Sequence, residues 1–346
     1  MVKKCRNLYY SPQQGLTSRR APRIMSNSSI NTANKQGFAF AIGAALLFSC
    51  KPIIIKWAYT YGIDALSLML LRMVLALPVY LAIGILLIQK QKRAQQNKLT
   101  FRHGLAAAFV GLFGYYLASF LDLKGLELAN AQLERIILYA YPTLVVILGA
   151  VIFKHKVTKQ QLVALALCYA GIICIFLQDL SLQGKQVIQG SLLILLSALS
   201  YAVYMLFSKK HIDRLGSLLF TCISMTSATV ATIIHTGLVL TITGSSSSGF
   251  NSNNWEFSPE LMAIVLLLTF AATVVPSFMI SEAVKRIGAA NAALTGTVGP
   301  IMTSIMAVVL LGEVFTLYHG LGMVLVILGV SRLKPKNITT KAEKIV

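Results

Sequence analysis

Ten apolar stretches follow one another along the chain, separated by short polar links. They cover about residues 37–59, 64–88, 103–122, 129–153, 159–178, 188–208, 217–240, 259–281, 289–311 and 316–333. A helix needs about 20 residues to cross roughly 30 Å of hydrocarbon, and a lipid-facing strand would alternate at every second residue. The pattern therefore predicts an all-α membrane protein with ten transmembrane helices.

Part of this pattern occurs twice. The stretch from Ser119 to Gly171 aligns without a gap with the stretch from Ser277 to Gly329. The identical positions are Ser119/Ser277, Phe120/Phe278, Ala131/Ala289, Pro142/Pro300, Ile147/Ile305, Val151/Val309, Thr158/Thr316, Leu167/Leu325 and Gly171/Gly329. We predict two repeats of five helices, at residues 37–178 and 188–333. Because five is odd, the second repeat enters the membrane from the opposite side, and the repeats are inverted.

Composition and charge agree with a bilayer environment. The chain is 56% apolar and 12% charged, with a mean hydropathy of +0.72, which excludes a water-soluble globule. The net charge of +20 could indicate nucleic acid, but with the N-terminus inside, 25 of the 31 Lys and Arg residues fall on cytoplasmic links and tails. The positive-inside rule explains this charge without a nucleic-acid partner and predicts that both termini are cytoplasmic.

The segments outside the apolar stretches carry no catalytic pattern. Residues 1–36 are predicted to be a disordered basic tail, in which Met1 or Met25 is the start, residues 334–346 a second cytoplasmic tail, and the Ser-rich link at 244–255 a flexible exterior loop. The five cysteines have no metal-ligand spacing, and no Walker-type phosphate loop is present. We therefore predict no metal, no cofactor and no direct use of ATP.

These features resemble the drug/metabolite transporter superfamily, specifically its EamA-type members, over nearly all of residues 37–333. The resemblance rests on the mid-helix prolines Pro142 and Pro300, on Arg72 within Leu-Leu-Arg-Met, on the Leu-Gly-Glu turn at 311–313, and on the Gly-rich stretch 320–329. The first copy lacks the Gly-Glu turn. The family implies an inner-membrane carrier with a central cavity between the repeats, which mostly exports amino acids and other small metabolites, although some relatives import.

Charged residues inside the apolar stretches are the first candidates for substrate contact, because each costs about 2.5–3.5 kcal/mol at a helix centre. Lys51 and Arg72 lie deepest, and Lys56, Glu134 and Arg135 lie nearer the outer surface. Four cations against one carboxylate in the first repeat favour an anionic substrate. Lys51 is the leading ligand candidate, and Glu134 is a candidate proton carrier. Snorkelling of Lys56 to the headgroups, a structural Arg135, and a packing contact of Arg72 with Glu134 remain alternatives.

Aromatic and proline residues form a second group of candidates. Tyr115, Tyr139, Tyr201 and Tyr204 lie in mid-span, where a phenol needs a partner or water, so some of them are expected to line the cavity and the rest to pack. The prolines that interrupt helices are Pro52, Pro142, Pro276 and Pro300. Each predicts either a hinge near a binding site or a simple kink.

Secondary transport of a small organic metabolite by alternating access is the predicted function, with export as the direction. Import of a nucleotide-like or vitamin-like metabolite is the alternative within transport. A membrane-embedded transferase is disfavoured, since His103, His155, His211, His235 and His319 have no acidic or His partner at catalytic spacing. Substrate identity, coupling to protons and oligomeric state, including a homodimer, stay open.

Overall fold

The computed structural model describes residues 27–93, 100–152, 158–243, 258–295 and 298–332. Within these ranges the chain forms ten helices, which we number α1 to α10: Asn27–Tyr59, Ala65–Arg93, Phe101–Leu128, Ala131–Ile152, Lys159–Gln183, Gln186–Leu215, Ser217–Thr243, Pro259–Gly288, Val298–Leu311 and Leu317–Arg332. A short helical segment, residues 289–295, follows the kink at Gly288 and precedes α9. The first eight are long and apolar enough to cross a membrane, and α9 and α10 are shorter apolar helices. The predicted all-α architecture of ten helices is confirmed.

Several helices run beyond the apolar stretches that predict them. Helix α1 begins at Asn27, so the last part of the predicted disordered tail is helical. Helix α3 continues to Leu128 and α5 to Gln183, past the predicted ends at 122 and 178. Polar residues can extend a helix into the headgroup layer, because its backbone hydrogen bonds are internal. The rest of the N-terminal tail, the Ser-rich link and the C-terminal tail lie outside the described residues.

Local signals explain where the helices begin. The side chain of Asn130 accepts a hydrogen bond from the Leu133 N–H at 2.8 Å, and Ser258 caps Leu261 in the same way at 3.1 Å. Thr158 and Gln161 form a reciprocal capping box at the start of α5. Between α6 and α7, Gly216 takes a φ of 87°, a conformation that glycine adopts without strain.

The two repeats have matching structural features at the same offset along the chain as the sequence repeat, which is the offset from Ser119 to Ser277. Thr100 and Ser258 stand at this spacing immediately before α3 and α8. A π-helical turn interrupts α3 at Leu112–Leu117 and α8 at Phe270–Val274, again at matched positions. Thr158 and Thr316 likewise precede α5 and α10. The chain is thus a structural duplication, and its two five-helix halves are inverted.

Helices of one repeat pack mainly on helices of the other. The most extensive contacts join α5 with α10, α1 with α8, α2 with α7 and α3 with α6, and each of these pairs takes one helix from each half. Small residues permit close approach: a Cβ atom at Gly171 of α5 would lie 2.5 Å from the Gly322 carbonyl oxygen of α10. The halves therefore interlock around the centre of the molecule.

Candidate functional site

A cavity of about 150 Å³ lies between the two repeats. Its lining includes residues of α1, α2, α3 and α4 from the first half and of α6, α7 and α8 from the second. The charged residues of this lining all come from the first half: Lys51, Arg72, Asp122 and Arg135. The second half contributes apolar, hydroxyl and aromatic side chains, so the cavity is charged on one side and neutral on the other.

Both π-helical turns contribute residues to the cavity lining. Gly114 and Tyr115 line it from the turn in α3, and Ala272 and Thr273 line it from the matched turn in α8. In α8 the turn ends two residues before Pro276, which cannot donate a backbone hydrogen bond to the preceding turn and favours such a distortion. The matched position in α3 is Ala118, so that turn forms without a proline.

An ion pair connects α1 and α3 at the cavity wall. The Lys51 ammonium donates to the Asp122 carboxylate at 2.5 Å, with 13% of the Lys51 side chain and 2% of the Asp122 side chain exposed. The position matched to Asp122 in the second half is Ile280, which also lines the cavity. Lys51 therefore lies at the cavity as predicted, but it is already paired with a carboxylate.

Two guanidinium groups, of Arg72 and Arg135, lie on the same side of the cavity as Lys51 and Asp122, and we call these four residues the charged wall. Arg72 is 2% exposed, and its Nε and Nη2 atoms have no hydrogen-bond partner among the described residues. Arg135 donates weakly to the Ala45 carbonyl at 3.4 Å and lies against Gly299 of α9, while its Nε is unpartnered within the same residues. Buried donors of this kind are costly unless a ligand or water satisfies them.

Glu134 is buried behind the cavity wall and is not part of the lining. Its side chain is fully buried, and no donor group in the described part of the chain reaches its oxygens, but the carboxyl group of Asp122 lies within hydrogen-bonding range of it. Asp122, Arg135 and Lys51 lie within electrostatic range of it. Lys56 is half-buried, and Glu313 and Glu134 lie within electrostatic range of its ammonium group.

The tyrosines divide into two layers. Tyr115, Tyr139 and Tyr201 line the cavity. Tyr204 lies behind them, and its hydroxyl hydrogen-bonds to that of Tyr115 at 2.9 Å. Tyr201 packs edge-to-face on Tyr141, with 5.2 Å between ring centroids. Tyrosine side chains therefore form part of the cavity lining, and Tyr204 supports them from behind.

Helix α4 is interrupted beside the cavity. Its halves are Ala131–Leu138 and Tyr141–Ile152, and Tyr139 occupies the turn between them. Pro142 lies in the first turn of the second half, where a missing N–H breaks no helical hydrogen bond. The Thr143 hydroxyl donates to the Ala140 carbonyl at 2.6 Å and helps satisfy the turn. This interruption places Arg135 and Tyr139 at the wall.

Pro300 lies in a first helical turn as Pro142 does, whereas Pro52 and Pro276 lie inside continuous helices. Pro52 lies inside α1, which stays helical from Asn27 to Tyr59. Pro276 follows the π-helical turn of α8 without ending the helix, and Pro300 lies in the first turn of α9. A complete break at Pro52 or Pro276 is therefore absent, because neighbouring helices support the weakened backbone at these buried positions.

Glu313 holds the first half of α4 in place. Its carboxylate accepts hydrogen bonds from the N–H groups of Ala131 at 2.7 Å and Gln132 at 3.2 Å. A carboxylate at a helix N-terminus is also favoured by the helix dipole. The Leu-Gly-Glu turn of the second half therefore positions the α4 segment that carries Glu134 and Arg135.

Sequence reasoning misses two buried acids. It treats Glu134 as the sole carboxylate inside a span, but α3 continues past Asp122, which is 1% exposed. It also treats His319 as isolated, whereas His319 contacts Asp179 of α5 at 3.1 Å, and both residues are fully buried. Both acids stand at the ends of predicted stretches, where a polar residue indicates a loop as readily as a longer helix.

Comparison with known proteins gives the family. Residues 35–177 and 188–333 each match the EamA-like transporter family. The chain belongs to the EamA-like transporter family. It is therefore a multi-pass membrane transporter and not an enzyme, as the sequence predicts. The double match agrees with the structural duplication of the helices.

Relatives of this EamA-like transporter occur in bacteria. An uncharacterized transporter of Bacillus subtilis (strain 168), YcbK, is 28% identical over 287 residues, which are 83% of this chain and 88% of the relative. An uncharacterized transporter of Clostridium kluyveri is 22% identical over 304 residues, 85% of this chain and 92% of its own. A solved crystal structure covers 87% of this chain with a TM-score of 0.57 and 15% identity, and it supports the fold alone.

Proposed function

We propose that this EamA-like transporter is a secondary carrier that exports a small organic anion, such as a carboxylate or an amino acid, by alternating access. The single observation that carries the proposal is the pair of guanidinium groups at the cavity. Arg72 and Arg135 form no salt bridge within the described residues, and both present unpartnered donors. Guanidinium groups bind carboxylates through two parallel hydrogen bonds, which favours an anion over a neutral or cationic solute.

The size and aromatic lining of the cavity restrict the substrate further. About 150 Å³ suits a compact metabolite in this state of the carrier. Tyr115, Tyr139 and Tyr201 line the same cavity, and their rings can pack on the carbon skeleton of a substrate. The interlocked repeats provide two units that can rock about this central site.

The proposal includes an orientation in the membrane. With both termini in the cytoplasm, 25 of the 31 Lys and Arg residues lie on the cytoplasmic side. This orientation fits the inner membrane of a bacterial cell. The charged wall of the cavity then lies toward the exterior half of the membrane, because Lys51, Asp122 and Glu134 belong to the exterior ends of their helices.

Untargeted metabolite profiling of culture medium tests the proposal. Cells overproducing the intact protein are compared with cells producing Arg72→Gln, Lys51→Gln or Lys124→Gln. Lys124 forms a partly exposed ion pair with Glu127 and serves as a matched control outside the cavity. We expect an organic acid to accumulate outside with the intact protein and with Lys124→Gln, and about 10-fold less with Arg72→Gln, since a charged hydrogen bond contributes roughly 1.5–3 kcal/mol.

The outcomes separate direction from substrate charge. If an organic acid is instead depleted from the medium, and the depletion depends on Arg72, the carrier imports its substrate. That result would contradict the proposed direction and support the anionic substrate. Accumulation of a cationic or neutral solute, unaffected by Arg72→Gln, would contradict the proposed function itself. Saturation and counterflow in vesicles then distinguish a carrier from a channel, which conducts without saturating.

A further inference from the structure

Two carboxyl groups lie next to each other at the charged wall of the cavity. Asp122 of α3 lines the cavity with 2% of its side chain exposed, and Glu134 of α4 is fully buried within electrostatic range of it. Within the described ranges, no donor group reaches the Glu134 oxygens, and only one oxygen of Asp122 accepts a hydrogen bond from a donor, while the two carboxyl groups lie within hydrogen-bonding range of each other. Two buried carboxyl groups in proximity resist joint ionisation, unless cations offset their charge.

Charged and titratable groups near the two carboxyl groups come from α1, α2 and α4. Helix α1 contributes Lys51, Lys56 and the phenol of Tyr59, α2 contributes Arg72, and α4 contributes Arg135. Glu313 acts on Lys56 from the link before α10. The α6 residues that line the cavity, among those the structure describes, are uncharged. The charge of the carboxyl pair is therefore offset chiefly by Lys51, Arg72 and Arg135, which are the cations exposed to the cavity.

We propose that Asp122 and Glu134 form a proton-binding site, which takes up one proton when an anionic substrate binds Lys51, Arg72 and Arg135. This inference rests on the proposed function, since it assigns the coupling ion of the same cavity. The anion and the carboxyl pair compete for the same three cations. When the anion binds these cations, less positive charge remains to stabilise two ionised carboxylates at Asp122 and Glu134. One of the two carboxylates therefore takes up a proton from cavity water.

The charge balance of this step is simple. A monoanion brings one negative charge, and the proton neutralises one carboxylate, so the net charge of the site is unchanged. Anion and proton bind cooperatively and leave together, which makes transport of a monoanion electroneutral. Thermodynamic linkage then requires that the affinity for the anion rises as the pH falls. A carrier of this kind exports an acid that accumulates in the cytoplasm, and the combined gradients set the direction.

The first test needs no substrate, because Lys51→Gln withdraws a cation from the carboxyl pair as a bound anion would. Infrared spectra of the purified full chain at one neutral pH are compared with those of Lys51→Gln, Lys51→Gln/Asp122→Asn and Lys124→Gln. We expect about one additional protonated carboxyl group per chain in Lys51→Gln. If Asp122 carries the proton, Lys51→Gln/Asp122→Asn should lack the additional protonated carboxyl group. If Glu134 carries the proton, a further double variant, Lys51→Gln/Glu134→Gln, should lack that group.

The control compares Lys51 with Lys124, because their carboxylate partners, Asp122 and Glu127, both belong to α3. Lys124 binds Glu127 at 3.0 Å, but 39% of the Lys124 side chain is exposed, so water compensates for its loss. Its variant should gain no protonated carboxyl group. Unchanged carboxyl bands in a Lys51→Gln protein that elutes as the wild type would overturn the inference.

The second test measures coupling in proteoliposomes that contain a trapped pH dye. Labelled pyruvate, succinate and glutamate are added one at a time, and anion and proton fluxes are recorded together. We expect about one proton per monoanion in the wild type, and a lower ratio of proton flux to anion flux in Asp122→Asn or Glu134→Gln. Asp179→Asn, which alters a buried acid of α5 away from the cavity, should keep the coupling.

The two proposals fail in different ways. Anion transport with no proton flux in the wild type would overturn the proton site and leave the proposed function intact. Proton flux that persists unchanged in both Asp122→Asn and Glu134→Gln would also overturn it. A wild type that transports none of the three anions, while profiling identifies a cationic solute, would contradict the proposed function and with it the inference.

Discussion

Replacement of Gly171 by alanine should loosen the contact between α5 and α10. A Cβ atom at Gly171 would lie 2.5 Å from the Gly322 carbonyl oxygen and 2.8 Å from Val326 Cγ2, while ordinary contacts begin at 3.4 Å. The helices must therefore separate by nearly 1 Å. Inserting a methyl group into such a packed interface costs about 1–3 kcal/mol.

Gly237 provides the matched control, because a Cβ atom there meets nothing within 4 Å. Both substitutions gain about 1 kcal/mol from the higher helix propensity of alanine. The difference between Gly171→Ala and Gly237→Ala thus isolates the clash, and we expect about 1–3 kcal/mol in the free energy of unfolding. Denaturation by SDS in mixed micelles measures it. Equal stabilities of the two variants would refute the close packing of α5 on α10.

Three further changes test other parts of the structure. Glu313→Gln should lower unfolding stability by about 1 kcal/mol through loss of the charged cap of α4, whereas Glu260→Gln, at an exposed first turn, should not. Tyr115→Phe and Tyr204→Phe should each cost about 1 kcal/mol, and the double variant less than the sum, because they share one hydrogen bond. Affinity for the exported anion should fall by up to about tenfold per pH unit on raising the pH; a flat profile in binding assays would contradict proton uptake.

The sequence predicts the membrane fold well because hydrophobic length and repetition are strong signals. Ten helices, their order and the duplication follow from the apolar stretches and from the match of Ser119–Gly171 to Ser277–Gly329. The helix ends are less predictable, since a polar residue such as Asp122 reads as the start of a loop when the helix in fact continues. Burial between helices decides the outcome, and burial has no local signature.

The sequence predicts which charged residues lie at the candidate site but not which residues they contact. Lys51, Arg72 and Arg135 lie at the cavity, and the cost of charge in a membrane is sufficient to identify them. The partner of Lys51 comes from a distant helix, so the separation along the chain gives no indication of it. Similarly, spacing places Tyr201 and Tyr204 on neighbouring turns but does not indicate that Tyr204 lies behind Tyr115.

The matched π-helical turns bear on how this cavity arose. Each holds one residue more than an α-helical turn would, and the two stand at the same position of the two halves. A single insertion in an ancestral half, copied when the gene duplicated, accounts for both. The charged residues follow no such rule, since Asp122 is matched by Ile280. The backbone shape of the cavity is thus common to the two halves, while its charged side chains belong to one half alone.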